Sequence, residues 1–330
     1  MSERNSTYPF ASARVKSMEN RMLTQEKLAR ILEAKDFEDA MRSLQELGYG
    51  SSVSGKASFE QLIEQELKEA DDLLEFLSPS DLFIKIMRAG RDYHNLKVLI
   101  KLSMLGRDLD GAGLTPGNIS VETLKRAVSE NNYSDLTPVM KDALGAIDKQ
   151  FAVAADVSVV GSMLDRAYSK EVSELVRELG NELVSRYFTA YFDLSNIIAF
   201  MRVRAFYGRD SFDNAFLEGG SIDKKTFIDA FELSDENVLS AVVKGEYARV
   251  LSGAVEDYIK TKSLYMLEKA RDDYLLSLVK EQRHDMFGIG PLMGYYIGKQ
   301  REAAAVRMVM TAKQGGVDSE VVQKRLKEIY

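Results

Sequence analysis

A glycine-rich stretch that ends in lysine is the part of this sequence closest to a known chemical site. Gly50-Ser-Ser-Val-Ser-Gly55-Lys56 has the Gly-x4-Gly-Lys spacing of loops whose backbone N–H groups and lysine hold phosphates. Such loops also use a Ser or Thr after the lysine for magnesium and follow a strand. Here Ala57 follows, and Met41–Leu47 has helical periodicity. We therefore interpret the stretch as a connection between helices, with nucleotide binding as the alternative.

Histidine, serine and cysteine chemistry has little support in the sequence. His94 and His284 are the only histidines, and neither has the spacing of a metal site. The chain has no cysteine, which excludes thiolate ligands and disulfides, and it has no Gly-x-Ser-x-Gly motif. We interpret both histidines as surface or structural residues.

Paired acids and a second glycine cluster are also poor candidates for chemistry. Asp71-Asp72 and Asp272-Asp273 are adjacent residues, and adjacent residues on a helix point about 100° apart, so they cannot form a facing acid and base. Gly288-Ile-Gly-Pro-Leu-Met-Gly294 lacks the glycine spacing of a dinucleotide-binding turn, and it predicts a helix break with Pro291 in the next first turn. We predict no catalytic, cofactor-binding or metal-binding residues, and we do not expect an enzyme.

Three stretches of the chain resemble one another: Asp92–Gly106, Asp193–Gly208 and Glu302–Gly316. Each begins with a carboxylate, continues with apolar residues at matching steps and ends in glycine. The third residue after the carboxylate is Asn95, Asn196 and Ala305 in turn. The repeat is about 100 residues long, so each copy has the size of a small domain and exceeds the 20–50 residues of solenoid repeats. The alternative is a chance alignment within a helical chain.

Each stretch is followed by a link and a new apolar helical pattern. Residues of good N-cap type open these patterns: Ser120, Asp223 and Asp318. The link after Gly316 is shorter than the other two. We predict three repeated helical domains, at residues 1–118, 119–220 and 221–330.

Basic residues also recur within the repeated stretches. Lys97 and Arg307 share one position, and Lys101 and Arg202 share another. One interpretation is that they form intramolecular ion pairs that fix helices within each repeat. The other is that all four lie on a concave surface and bind a partner. We also expect the two repeated asparagines to hydrogen-bond neighbouring backbone groups.

Composition favours helix and restricts the partners. Only 5 prolines interrupt long runs rich in Ala, Leu, Glu, Lys and Arg, so the fold class is predicted to be all-α. The net charge of −7 argues against a nucleic-acid partner and against adhesion to an anionic membrane. No apolar run is long enough to span a bilayer, and the first residues lack a signal peptide's apolar segment. We expect a cytoplasmic protein without direct bilayer insertion.

Local signals place several helix boundaries. Ser58 and Gln61 have the spacing of a capping box and open a predicted helix that runs to Leu77. Thr24 is a plausible cap inside the helical pattern of residues 11–34. Ala254–Gln282 is predicted to be one long helix.

The two ends of the sequence carry a family resemblance. Tyr8–Thr24, with Arg14-Val-Lys-Ser-Met18, and Pro291–Gly315, with its Tyr, Glu, Arg and Lys, are similar to the corresponding ends of the C subunit of the prokaryotic V-type (A-type) ATPase. The same family includes the d subunit of the vacuolar ATPase. Ala305 stands where that family often has Asn, and Pro9-Phe10 departs from its usual aromatic-x-aromatic start.

The resemblance implies a mechanical role. Family members have three related helical domains arranged as a funnel around a pseudo-threefold axis. Such a protein is a central-stalk adaptor that receives the rotor shaft of subunits D and F and sits on the membrane proteolipid ring. It transmits torque between ATP synthesis or hydrolysis and hydrogen ion or other ion transport, without a cofactor, and is peripheral to the membrane. The alternative is a helical scaffold or nucleotide-binding protein outside the ATPase.

Overall fold

The computed structural model describes residues 4–53, 57–110, 113–153 and 158–330, and within them the regular secondary structure is helical throughout. The prediction of an all-α fold is therefore confirmed. The helices in chain order are α1 (Arg4–Glu19), α2 (Gln25–Leu32), α3 (Phe37–Glu46), α4 (Phe59–Leu77), α5 (Asp81–Met104), α6 (Val121–Glu130), α7 (Pro138–Val153), α8 (Ser158–Leu179), α9 (Glu182–Phe206), α10 (Arg209–Ala215), α11 (Lys224–Asp229), α12 (Asp235–Val242), α13 (Glu246–Thr261), α14 (Tyr265–Glu281), α15 (Gly290–Gln314) and α16 (Ser319–Arg325).

Local capping explains where several helices begin. The Ser58 hydroxyl accepts a hydrogen bond from the Gln61 N–H, and the Gln61 side chain accepts one from the Ser58 N–H, which confirms the predicted capping box of α4. The Thr24 side chain accepts from the Lys27 N–H and so caps α2. Pro291 lies in the first turn of α15, where its missing N–H removes no helical bond.

The prediction of one long helix over Ala254–Gln282 is wrong, because α13 ends before α14 begins. Lys262 adopts the left-handed conformation, with φ of 58°, and terminates α13. The Thr261 hydroxyl then accepts a hydrogen bond from the Ser263 N–H, and the Ser263 hydroxyl accepts one from the Tyr265 N–H. These local bonds satisfy backbone donors that a continuous helix would otherwise use.

The chain divides into two compact units, of which the first is discontinuous. It combines Met1–Asp81 with Asp272–Tyr330. Its core lies between α2, α3, α4, α15 and α16, and its buried side chains include Ile31, Leu44, Ile63 and Val306. The early and late parts of the sequence therefore share one hydrophobic core.

Two groups of apolar side chains illustrate the packing of the second unit, Leu82–Arg271. One lies between α5, α6, α7 and α8 and includes the fully buried Leu96, Leu124 and Leu164. The other joins α9, α10 and α11, where the ring centroid of Phe200 lies 5.2 Å from that of Phe212 and 5.3 Å from that of Phe227. This division into two units does not test the three predicted domains, which stay a prediction: residues 1–118, 119–220 and 221–330.

Within the described residues, no helix combines the length and the apolar composition needed to cross a bilayer.

Candidate functional site

The first repeated carboxylate lies buried on α5 and fixes the turn that enters α6. The Asp92 carboxylate accepts hydrogen bonds from the N–H groups of Asn118 at 2.9 Å and Ile119 at 3.0 Å. The turn approaches so closely that a Cβ atom on Gly117 would lie 2.1 Å from the Asp92 Oδ1 atom. Ser120 follows and caps α6, as predicted. Burial raises the pKa of Asp92, and the backbone N–H donors oppose that rise.

The second repeated carboxylate does the same on α9. Asp193 is buried and accepts hydrogen bonds from the N–H groups of Ser221 at 2.8 Å and Ile222 at 2.9 Å. It also accepts from the Ser221 hydroxyl at 2.6 Å and from the Tyr247 hydroxyl at 3.0 Å. A Cβ atom on Gly220 would lie 2.3 Å from Asp193 Oδ1, so glycine occupies the same place as in the first copy. Asp223 stands at the N-cap of α11, although its side chain makes no capping hydrogen bond there.

The third carboxylate binds a turn from the opposite end of the sequence. The Glu302 side chain on α15 accepts a hydrogen bond from the Leu23 N–H at 2.5 Å, immediately before the Thr24 cap of α2. The link predicted after Gly316 leads to α16, so the turn that Glu302 binds is a different segment of the chain. Asp318 does cap α16, where it accepts from the Glu320 N–H. The backbone counterpart of Ile119 and Ile222 is thus Leu23.

The repeated asparagines hydrogen-bond the same connecting segments. The Asn95 amide donates to the Thr115 carbonyl at 2.9 Å. The Asn196 amide donates to the Leu217 carbonyl at 2.8 Å, and its own carbonyl accepts from the Leu217 N–H at 2.8 Å. Both contacts confirm the expected bonds to backbone. Ala305, at the third position, offers no such group.

A buried lysine neutralises the third carboxylate. Lys299 is one helical turn before Glu302, and its ammonium contacts both Glu302 and the Glu66 carboxylate of α4, the latter at 2.6 Å. Burial favours the neutral amine, but the charges of Glu302 and Glu66 outweigh it and raise the pKa of Lys299. The Lys299 ammonium also lies 5.3 Å from the centre of the Tyr49 ring. Sequence reasoning missed this network; the only local signal was the three-residue spacing of Lys299 and Glu302.

Three of the four predicted partner-binding residues form ion pairs with a neighbouring long helix. Lys97 of α5 contacts Asp165 of α8. Arg202 of α9 lies 2.7 Å from Glu268 of α14, and Arg307 of α15 lies 3.0 Å from Glu60 of α4.

Lys101 differs from the other three basic residues. It is exposed and has no ion pair within the described part of the chain. Lys97, Arg202 and Arg307 therefore form intramolecular ion pairs, but each pair joins two of the predicted domains and does not lie within one repeat. Partner binding by any of the four stays a prediction.

The remaining chemical candidates are dispersed. His94 is exposed, and His284 accepts a hydrogen bond from Arg283 at its surface. Asp71 accepts from the Tyr296 hydroxyl, while Asp272 pairs with Arg301 and Lys327. Across the residues that the structure covers, no three His, Cys, Asp or Glu side chains are grouped to hold a metal ion.

The glycine-rich stretch is only partly described. Ser54, Gly55 and Lys56 lie outside the described residues. The segment before it is α3, a helix, where a phosphate-binding loop requires a strand.

The sequence matches a known family along nearly its full length. A family model described as ATP synthase (C/AC39) subunit matches residues 11–325. The C subunit of the A-type ATP synthase of Methanocaldococcus jannaschii is 23% identical over an alignment that covers 97% of this chain and 86% of that protein. The C subunit of the V-type sodium ATPase of Enterococcus hirae is also 23% identical, over 82% of this chain and 83% of its own. The C subunit of the A-type ATP synthase of Thermococcus kodakarensis is 21% identical, with 98% and 91% covered.

Proposed function

Because the chain belongs to the ATP synthase (C/AC39) subunit family, we propose that it is a non-catalytic adaptor in the central stalk of a rotary ATPase. It receives the tip of the shaft formed by subunits D and F and rests on the cytoplasmic face of the membrane proteolipid ring. In this position it carries torque between ATP synthesis or hydrolysis and ion transport. It is peripheral to the membrane and uses no cofactor.

The observation that carries this proposal is the repeated attachment of a turn to a long helix. In α5, α9 and α15 one buried carboxylate binds the backbone N–H that precedes a short helix, through Asp92, Asp193 and Glu302. Three like units of this kind could enclose a hollow as a funnel with pseudo-threefold symmetry. A carboxylate that binds backbone donors fixes the direction of the chain, and a part that transmits torque needs such stiffness.

The ion pairs of the long helices support the same repeated construction. Lys97, Arg202 and Arg307 each join their helix to a long helix of another predicted domain, which is α8, α14 and α4 respectively. Charges held in such pairs are less available to a partner than an unpaired charge. Among the four basic candidates, we therefore place Lys101 first as a contact to the shaft, with Lys97, Arg202 and Arg307 as secondary contacts.

Reconstitution with the shaft tests this function. The purified chain is mixed with the D–F complex, and the two should elute together in size-exclusion chromatography with an affinity that calorimetry can measure. Lys101→Glu should weaken binding about tenfold or more, since a like-charge contact disfavours the complex. Lys149→Glu is the matched control, because Lys149 is exposed on α7 and also has no ion pair in the described residues.

Two results would contradict the proposal at different levels. Failure of the wild-type chain to bind the D–F complex would contradict its role as the receptor of the shaft. Equal binding by the Lys101 and Lys149 variants would keep the shaft-binding role of the chain and exclude Lys101 as a contact to the shaft.

A further inference from the structure

A cavity of about 390 Å³ opens in the first unit, between the end of α1, the loop after α3, and the helices α4 and α15. Its polar lining includes Arg21 and Lys27 near the start of α2, Glu66 and Glu69 on α4, and Lys299 on α15. Apolar side chains of Met18, Met22 and Leu47 complete the wall. The volume is large enough for a side chain or a small organic molecule.

Tyr295 makes this cavity unusual. Its side chain lines the cavity and is 4% exposed, yet its hydroxyl has no hydrogen bond within the described residues. Burial raises the pKa of Tyr295 to about 12, and the negative charges of Glu66, Glu302 and Glu69 add to that rise against the opposing charge of Lys299. The hydroxyl is therefore available to donate a hydrogen bond to a group that enters the cavity.

The carboxylates of the cavity are already occupied by internal donors. Glu66 accepts from the Gly50 N–H at 2.8 Å and from Lys299 at 2.6 Å. One oxygen of Glu69 accepts from Ser52 at 2.5 Å and from Gln65 at 2.9 Å. The acceptors of this lining are therefore largely satisfied.

The hydrogen-bond donors that line the cavity, in contrast, have few internal acceptors. The Arg21 guanidinium is exposed at the cavity and makes no hydrogen bond within the described residues. The Lys27 ammonium donates once, to the Met22 carbonyl at 3.2 Å, and so keeps two further hydrogens. With the Tyr295 hydroxyl, three side chains present free donors to one space.

We propose that this cavity binds a carboxylate group, with Arg21 and Lys27 on its two oxygens and the Tyr295 hydroxyl as a third donor. A single negative charge suits the site better than a dianion. The residues that line the cavity include three cations, Arg21, Lys27 and Lys299, and two carboxylates, Glu66 and Glu69, so their formal net charge is +1. The carboxylate comes either from an acidic side chain of a partner protein or from a free small acid.

Thermal unfolding of the full chain with sodium propionate tests the site directly. Propionate should raise Tm above the value in sodium chloride at equal ionic strength, because a ligand that binds the folded state stabilises it. Tyr295→Phe and Arg21→Gln should each weaken propionate binding about tenfold, the loss expected for one hydrogen bond to a charged group. Tyr295→Phe removes a hydroxyl without a described partner, so its Tm without propionate should stay near that of the wild type.

The neighbouring Tyr296→Phe is the matched control. It removes a hydroxyl that bonds Asp71 and does not line the cavity. This variant should lose some stability and keep the propionate response. An equal propionate response in the wild type and in Tyr295→Phe would overturn the proposal.

Zero-length carbodiimide coupling in the assembled ATPase separates the two sources. This second arm rests on the proposed function, whereas the propionate arm does not. A covalent link from Lys27 to an Asp or Glu of another subunit, found by mass spectrometry, would support a partner side chain. A propionate response without that link would support a free carboxylate. Absence of both would overturn the site.

Discussion

Glu302 accepts a hydrogen bond from the N–H of Leu23, a residue 279 positions earlier in the chain. Asp92 and Asp193 make the same contact with turns that follow them by 27 and 29 positions. In those two copies glycine stands two residues before the bonded N–H, at Gly117 and Gly220. In the third copy Arg21 stands there. Glu has one more methylene than Asp, and this extra length lets Glu302 reach a turn that carries a full side chain.

Loss of the Glu302 carboxylate should strongly destabilise the protein. Glu302→Ala leaves the Leu23 N–H without its acceptor and removes one of two carboxylates from the buried Lys299. Breaking a buried pair typically costs about 3–5 kcal/mol. Urea unfolding measures the loss. Glu60→Ala is the control, since its pair with Arg307 is partly exposed and should contribute only ~0–1 kcal/mol. Equal losses would show that burial does not distinguish the two pairs.

Substitution of Gly117 tests the close approach to Asp92. A Cβ atom there would collide with the carboxylate, so Gly117→Ala should destabilise the second unit by about 1–3 kcal/mol, the usual cost of overpacking. Gly113→Ala in the same loop meets no atom within 4 Å and should leave Tm almost unchanged. Comparison of the two Tm values by calorimetry checks the contact. Similar values would mean that the turn can move away from α5.

Alanine in place of Gly298 should displace Tyr330. A Cβ atom on Gly298 would lie 2.6 Å from the Tyr330 Cβ atom and 2.8 Å from the Met22 Cε atom. We expect Gly298→Ala to lower the free energy of unfolding by about 1–3 kcal/mol. Gly145→Ala on α7, where no atom lies within 4 Å, should instead raise it by about 0.5–1 kcal/mol, because alanine favours helix. Chemical denaturation of both variants gives the two signs, and a stabilised Gly298→Ala would contradict the packing.

The alkaline pH dependence of stability should depend on Tyr295. Burial, together with the charges of Glu66, Glu302 and Glu69 against that of Lys299, raises its pKa to about 12, while an unfolded tyrosine has its ordinary pKa of 10.0. The stability that this neutral phenol contributes is fully present below pH ~10 and is lost as pH rises through about 12. A pKa difference of about two corresponds to roughly 2–3 kcal/mol of folding free energy.

Denaturant unfolding between these pH values measures the effect. Tyr295→Phe should lose less stability over this window than the wild type. An identical pH dependence in both proteins would show that Tyr295 titrates as an exposed phenol.

Capping residues near in sequence made several helix starts predictable. The turn bound by Glu302 was not predictable in this way, because its contact joins distant parts of the chain. The capping residues Ser58 and Thr24 bond within their own first turns, so sequence spacing reveals them. Glu302 and Leu23 meet only after α15 packs against α2 and α4. The segment after Gly316 leads through Asp318 to α16, whereas the turn that Glu302 binds lies 279 positions before it in the chain.

The break after Thr261 escaped prediction for a different reason. Thr261 and Ser263 fit a helix as well as a turn, and the hydrogen bonds that their hydroxyls accept from the Ser263 and Tyr265 N–H groups decide between the two. The cavity donors were also beyond sequence reasoning, because Arg21 and Tyr295 are far apart in the chain and belong to no motif.

The shared core of Met1–Asp81 and Asp272–Tyr330 has a consequence for synthesis on the ribosome. Helices α2 to α4 leave the exit tunnel early, but their packing partner α15 is translated only after residues 82–271. At ~5–20 residues per second, that interval lasts roughly 10–40 s. During it the apolar faces of the early helices are uncovered, and they are a natural substrate for a chaperone that acts on nascent chains.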